Sequence, residues 1–170
     1  PSISPEWDGY EITVKRGERV SGTVLVLGGG NTAIDAALSA KRAGGADVSI
    51  VYRRSFAEMP AWPEERDAAI REGVDFLILT QPVGYVCGED GRLTGLKVVR
   101  TRLGAPGPDG RRRPEAIAST EHVLPADLVV EAIGQAIDPG AGAALRGVRL
   151  TRAGLIEVTG GSLAAPSTPP

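Results

Sequence analysis

The chain has 170 residues, 42% hydrophobic and 24% charged, enough for one ordinary domain with its own core. Its net charge of −2 provides no global basic field to draw nucleic acid or an anionic membrane surface. A single cysteine, Cys87, excludes an intrachain disulfide and a CxxC redox pair. No apolar run approaches the roughly 18 residues of a membrane span, and PSISPEWDGYE is not a signal peptide, so the expected compartment is the cytoplasm.

The elements then follow in an informative order. YEITVKRG reads as a short strand or linker, so residues 1–22 are expected to be a lead-in. TVLVLG, from Thr23, is a continuous apolar, β-branched run, the mark of a strand buried on both faces. From Asn31 to Ala43, the residues Ala33, Ile34, Ala37 and Leu38 recur at helical spacing, and Gly44 with Gly45 stops the helix. DVSIVY is a second buried strand. Pro63 suits the first position of a second helix, Glu64 and Glu65 suit the positive end of its dipole, and Gly73 closes it. VDFLILT is a third strand, which completes β-α-β-α-β and predicts a parallel sheet.

Beyond this point the pattern changes. VGYVCGEDGRLTGLKVVRTRLG holds two strand-like runs around Glu89-Asp90-Gly91, which is hairpin chemistry. GAPGPDGRRRPEAIAS is expected to be a loop and TEHVLP a third antiparallel strand. ADLVVEAIGQ returns to the parallel sheet, and GVRLTRAGLIEV offers a last hairpin. The expected fold class is therefore α/β: a Rossmann-like three-layer nucleotide-binding domain over 23–158. In place of a crossover helix it has an antiparallel β-meander from about Val83 to Leu124. Residues 159–170 read as a truncated tail, and both ends read as those of an excised piece.

GGGNTA satisfies GxGxxA with Gly28, Gly30 and Ala33. In such motifs the first glycine makes a sharp turn and the second clears space for a pyrophosphate. The small third residue lets helix and strand pack closely. The helix beginning near Asn31 adds unpaired N–H groups and a dipole suited to phosphate. The motif alone is weak, but the strand before it, the helix after it and the second strand supply its required context; the alternative is a purely structural turn. At the end of the second strand, where NAD and FAD sites carry an acid for the ribose hydroxyls, the sequence has Arg53 and Arg54. Guanidinium groups bind a 2′-phosphate that a carboxylate would repel, so NADP(H) is favoured, then NAD(H), then FAD. The alternative is a pair of solvated arginines.

VLVLGGGNTAIDAA, VSIVYRRSFAEMPAWPEE, EGVDFLILTQPV, RLTGLKVVRTRLGAPGPDGRRRPEAI and LPADLVVEAIGQ together resemble the NADPH domain of the small (beta) subunit of glutamate synthase. Related flavoproteins include the NADPH-and-flavin portion of dihydropyrimidine dehydrogenase. The resemblance covers roughly Thr23 to Gln135 and continues weakly to Val158. It implies that NADPH passes hydride to FAD on a second nucleotide domain of the same parent chain. Electrons then leave through iron–sulfur clusters, in a protein that can pair with a large catalytic subunit. It also implies that Gly28, Gly29, Gly30, Asn31 and Thr32 line the pyrophosphate, that Arg53 and Arg54 hold the 2′-phosphate, and that Ile133 and Gly134 approach from the opposite side. The chain departs from the pattern in having one GxGxxG-like motif instead of two, no cluster cysteines, and no basic residue in SFAEMPAW. It looks like the NADPH domain alone, without its own catalytic acid or base, because hydride transfer between cofactors asks the protein for positioning and electrostatics.

Two rival functions are a self-contained NAD(P)-dependent dehydrogenase and a non-catalytic NADP(H)-sensing domain. The first would need a Tyr-x-x-x-Lys or comparable set, and none of the three lysines lies four residues after a tyrosine. Several residues are given structural roles. Cys87 is expected to be a buried or half-buried thiol, and His122 has no companions at metal-ligand spacing. Arg111, Arg112 and Arg113 are expected in a solvated loop, with docking to a partner as the alternative. Asp35 either orders the glycine turn or is an exposed helix carboxylate. Trp62 borders the adenosine site or packs under the second helix, the latter favoured.

Overall fold

In a computed structural model, the structure describes residues 20–108 and 110–134. The chain divides into two units between Ile133 and Gly134. The lead-in and the final hairpin expected from the sequence lie outside the described residues.

Strand β1 (Thr23–Leu27) runs into helix α1 (Asn31–Arg42), strand β2 (Asp47–Val51), a short 3₁₀ turn (Phe56–Glu58) and helix α2 (Pro63–Arg71). Strand β3 (Asp75–Leu77) follows, then β4 (Thr80–Cys87), β5 (Leu93–Pro106), β6 (Arg112–Ala116), β7 (His122–Pro125) and β8 (Leu128–Glu131). β3, β2, β1 and β8 form a parallel sheet in that order. The rest is antiparallel. β4 pairs with one edge of β5, while β7 and β6 follow one another along its other edge.

The continuous apolar runs now have their reason. Val24, Val26, Val48 and Ile50 face the helix side, where they meet Ile34, Ala37, Leu38 and Ala69. Leu25, Leu27, Val51 and Val129 face the other way and pack with Leu96 and Val98 of β5. Each strand must be apolar on both faces because helices cover one and the meander covers the other. The meander is thus the third layer of the domain as well as a crossover. Polar Lys97, between Leu96 and Val98, is exposed, as the two-residue strand period requires.

Three expectations need correction. VDFLILT supplies only the short Asp75–Leu77 strand, because Leu79 takes a left-handed conformation (φ 51°) and starts the chain into β4. The stretch 104–119 is no simple loop: β5 extends to Pro106 and β6 pairs back on it, Thr101 opposite Ala116 and Leu103 opposite Pro114. Arg112 and Arg113 are therefore strand residues. Cys87, at the end of β4, is exposed.

Candidate functional site

The strand order places the site. From β1 the chain winds outward through β2 to β3, whereas β8 lies on the other side of β1. Such a reversal opens a crevice at the carboxyl ends of the two central strands. The glycine turn begins there.

Three consecutive glycines meet three different surroundings. Gly28 has φ +140°, donates its N–H to Val51 O (3.1 Å), and a Cβ on it would lie 2.4 Å from the Ala132 carbonyl oxygen. A Cβ on Gly29 would lie 2.5 Å from the Tyr52 ring. Backbone packing and an aromatic face thus account for both. At Gly30 the backbone is ordinary (φ −91°, ψ 175°), and nothing lies within 4 Å of where a Cβ would point. Among the described residues no atom requires glycine there, and the open space lies just before α1.

Gly30 is also the N-cap of α1 and offers no side chain to its first-turn N–H groups. The N–H groups of Asn31 and Thr32 have no intrahelical partner by position. No acidic residue occupies that first turn. The result is a helix N-terminus with free donors, its positive end facing the crevice.

The turn is braced by the segment after β2. Ala61 donates to Gly29 O (3.0 Å), Trp62 N–H donates to the Asn31 side-chain oxygen (3.0 Å), and Tyr52 Oη donates to Glu58 O (2.9 Å). Arg66 secures the 3₁₀ turn: it donates to Phe56 O (2.6 Å) and stacks over the Phe56 ring, 4.6 Å from its centre. The MPAW stretch is thus a clamp on the glycine turn. Trp62 contributes its backbone; its side chain is 65% exposed and does not pack under α2 as expected. Asn31 is occupied by this clamp through its side chain, and Thr32 and Asp35 are exposed on α1.

Arg53 and Arg54 follow β2 directly. Their backbone is fixed from two directions: Thr101 Oγ1, buried on β5, donates to Arg53 O (2.8 Å), and Leu79 N–H donates to Arg54 O (3.0 Å). The Arg53 side chain is exposed; Arg54 is half-buried, and its Nε is buried without a hydrogen-bond partner among the described residues. Glu58, the one acid nearby in the loop, accepts a hydrogen bond from Ser55 Oγ.

Ile133 is 70% exposed past the end of β8. Gly134, the first residue of the second unit, has φ +105°. Glu131 accepts a hydrogen bond from Tyr85 Oη (2.5 Å), which ties the meander to this end of β8. Burial first, then the bond to Glu131 and its negative charge, push the Tyr85 hydroxyl well above its ordinary pKa, so it stays a donor. His122 is exposed with Nδ1 3.0 Å from Thr120 O, and no cluster of three metal-ligating side chains occurs among the described residues.

Tyr52, Thr101 and Glu58 were not singled out by sequence reasoning. Tyr52 stands beside the arginine pair at a strand end, a position where an aromatic can cover a turn. For Thr101 no local signal exists, because its partner lies 48 residues away.

A parallel sheet with a glycine turn at its switch point and helices on one face defines a Rossmann-like nucleotide-binding domain. The chain belongs to the pyridine nucleotide-disulphide oxidoreductase family, whose model matches residues 8–161. It is 44% identical over 152 residues to the glutamate synthase [NADPH] small chain of Halomonas elongata, covering 89% of this chain and 31% of that one. It is 40% identical over 153 residues to the putative oxidoreductase UacF of Escherichia coli, covering 90% and 23%. The chain thus spans less than a third of the length of these relatives. Among solved structures it resembles Mycobacterium tuberculosis FprA in complex with NADPH (TM-score 0.60, 18% identity, 78% of this chain and 42% of that one). A second is T. acidophilum thioredoxin reductase (TM-score 0.59, 18% identity, 84% and 44%). These two likenesses establish the fold.

Proposed function

We propose that this chain is the NADP(H)-binding domain of a longer flavoprotein oxidoreductase of the glutamate synthase small-chain kind. The observation that carries the proposal is Gly30: a glycine that no conformation or packing in the fold demands, opening onto the free N–H groups of α1. A pyrophosphate needs that clearance and those donors. The donor set fits the rest of the cofactor. Exposed Arg53 and the Arg54 Nε, which has no partner among the described residues, follow β2 and would receive a 2′-phosphate, and no carboxylate ends β2 to repel it.

In this reading Gly28, Gly29, Gly30, Asn31 and Thr32 line the pyrophosphate, the first two by shaping the turn and the last two through backbone N–H groups. Arg53 and Arg54 hold the 2′-phosphate, and Ile133 with Gly134 borders the nicotinamide half. The bound cofactor supplies a hydride. The residues of this chain bind and orient it, and they neutralise its phosphates. FAD and iron–sulfur clusters are assigned to the remainder of the parent protein, as is docking to a large subunit. Supporting the assignment are relatives whose names specify NADPH, including an NADPH-Fe(3+) oxidoreductase subunit beta of Geobacter sulfurreducens, 46% identical over 112 residues. Among the described residues no helix is long and apolar enough to cross a membrane. A cytoplasmic parent enzyme accords with an NADPH-dependent reaction.

Titration of the purified protein with NADPH and with NADH, followed by nicotinamide fluorescence, tests the reading. NADPH is expected to bind at least tenfold tighter, and Arg53→Glu to abolish that preference. Failure of both nucleotides to bind, or a preference untouched by Arg53→Glu, would overturn it.

A further inference from the structure

Arg54 shares a cavity with a second element, the β5–β6 hairpin. Arg54 borders a cavity of about 420 Å³, with Glu58 and Pro60 on its own loop and Pro106, Arg111 and Arg112 at the tip of the β5–β6 hairpin. Among the described residues, three guanidinium groups and one carboxylate line it. The volume falls within the roughly 300–1,000 Å³ of small-ligand pockets.

Two details set this cavity apart from a chance gathering of surface charge. Arg54 Nε is buried with no partner among the described residues, so it calls for an acceptor. Arg112 is held in place: its Nε donates to Gly104 O (3.0 Å) and its Nη2 to Leu103 O (3.3 Å). Its Nη1 makes no hydrogen bond among the described residues. A fixed arginine loses less conformational freedom on binding an anion than a mobile one.

The loop carrying the arginine pair also lacks cations of its own. Between Ser55 and Trp62 the only charged residue is Glu58, which opposes an anion. β5 compensates by joining the two places. It anchors Arg53 O through Thr101 and ends five positions later, at Pro106, on the cavity wall.

We propose that Arg111 and Arg112 complete, with Arg54, the subsite for the 2′-phosphate, so that selection of NADP(H) over NAD(H) depends on the β5–β6 hairpin as well as on β2. A phosphomonoester carries about −1.5 to −2 charges at neutral pH and is drawn to guanidinium groups. Its oxygens accept paired N–H bonds from arginine in the geometry a guanidinium offers. The inference rests on the proposed NADP(H) binding and adds a second element to it.

The test uses 2′,5′-ADP and 5′-AMP, which differ in the 2′-phosphate alone, titrated into the purified protein by calorimetry. Replacing both Arg111 and Arg112 by glutamine should weaken 2′,5′-ADP about tenfold to a hundredfold and leave 5′-AMP unchanged. Because that variant also loses the bonds to Leu103 and Gly104, two others decide. Pro106→Glu adds a negative charge to the wall and should weaken 2′,5′-ADP. Glu58→Gln removes one and should tighten it. If neither moves the 2′,5′-ADP affinity while Arg53→Glu abolishes it, the hairpin has no part in the subsite and NADP(H) binding stands. If the unaltered protein takes 2′,5′-ADP no better than 5′-AMP, the hairpin proposal and the NADP(H) reading fall together.

Discussion

Adding one methyl group to each glycine of the turn separates scaffold from site. Gly28→Ala forces a Cβ to within 2.4 Å of a backbone oxygen at φ +140°, so about 2–4 kcal/mol of stability should be lost. At Gly29 the obstacle is the Tyr52 ring, held by its hydroxyl to Glu58 O, and a similar loss is expected. Gly30→Ala meets nothing and adopts an allowed conformation, so stability should fall by only about 0.5 kcal/mol, the N-cap preference of glycine over alanine. Nucleotide affinity should nevertheless drop more than tenfold, since the methyl enters the space the pyrophosphate would fill. Thermal unfolding and NADPH titration of the three variants side by side check this. Equal affinity in Gly30→Ala and the parent would remove the main argument for a phosphate site.

Among the elements, β5 links the third layer to the candidate site. Thr101 is 3% exposed and spends its hydroxyl on Arg53 O, which makes Thr101→Val a shape-preserving deletion of one buried hydrogen bond. About 1–2 kcal/mol should be lost in denaturant unfolding, and the NADPH preference should shrink because Arg53 is no longer fixed from behind. Leu79 shows the same junction under strain: its left-handed backbone is held by Leu79 N–H donating to Arg54 O and Thr101 N–H donating to Leu79 O. At the other end of the helices, Arg42 of α1 grips Glu72, the C-cap of α2, through Nε (2.9 Å) and Nη2 (2.5 Å). The hydrogen bond from Arg42, aided by its charge and opposed by desolvation, holds the Glu72 carboxyl below its ordinary pKa. The pair's contribution is therefore complete above the ordinary carboxylate pKa and lost as pH falls through the lower folded value. Unfolding curves of the parent and Glu72→Gln should differ near neutral pH and converge in acid, and salt should narrow the gap because the pair is exposed. Convergence at high pH instead would mean that the pair is not the cause.

These elements also show what the sequence could reveal. β1, α1, β2 and the start of α2 were legible because burial on both faces, helical spacing and Pro63 leave local marks. The switch-point turn was legible because glycines at fixed offsets serve backbone geometry. β6 was not: Arg112, Arg113 and Glu115 carry no strand pattern, and the strand exists because β5 continues past the parallel sheet and offers a free edge. The cavity joining Arg54 to Arg111 and Arg112 was equally hidden, since it depends on where that hairpin ends. Trp62 was misjudged because an aromatic beside proline suggests packing, whereas here the backbone N–H is the group in use.

At the scale of the whole unit, one parallel sheet is shared by two cores. Ile34 and Val26 belong to the helix side, Leu96 and Val98 to the meander side, all of them fully buried. Neither layer can leave without exposing one apolar face of β1 and β2, so the two should unfold together. Leu96→Ala truncates a fully buried leucine of the meander core and should cost about 2–5 kcal/mol. If the sheet couples the cores, that loss should appear in hydrogen exchange of α1 amides as fully as in those of β5, although no atom of α1 is altered. A loss confined to β4, β5 and β7 would instead make the meander a separately opening layer, and the Thr101 bond to Arg53 would break before the nucleotide turn does. Exchange measured with NADPH bound then distinguishes the two cases further. Ligand grip from the hairpin arginines should slow the opening of β5, whereas binding confined to the glycine turn should leave β5 exchange in a separately opening meander unchanged.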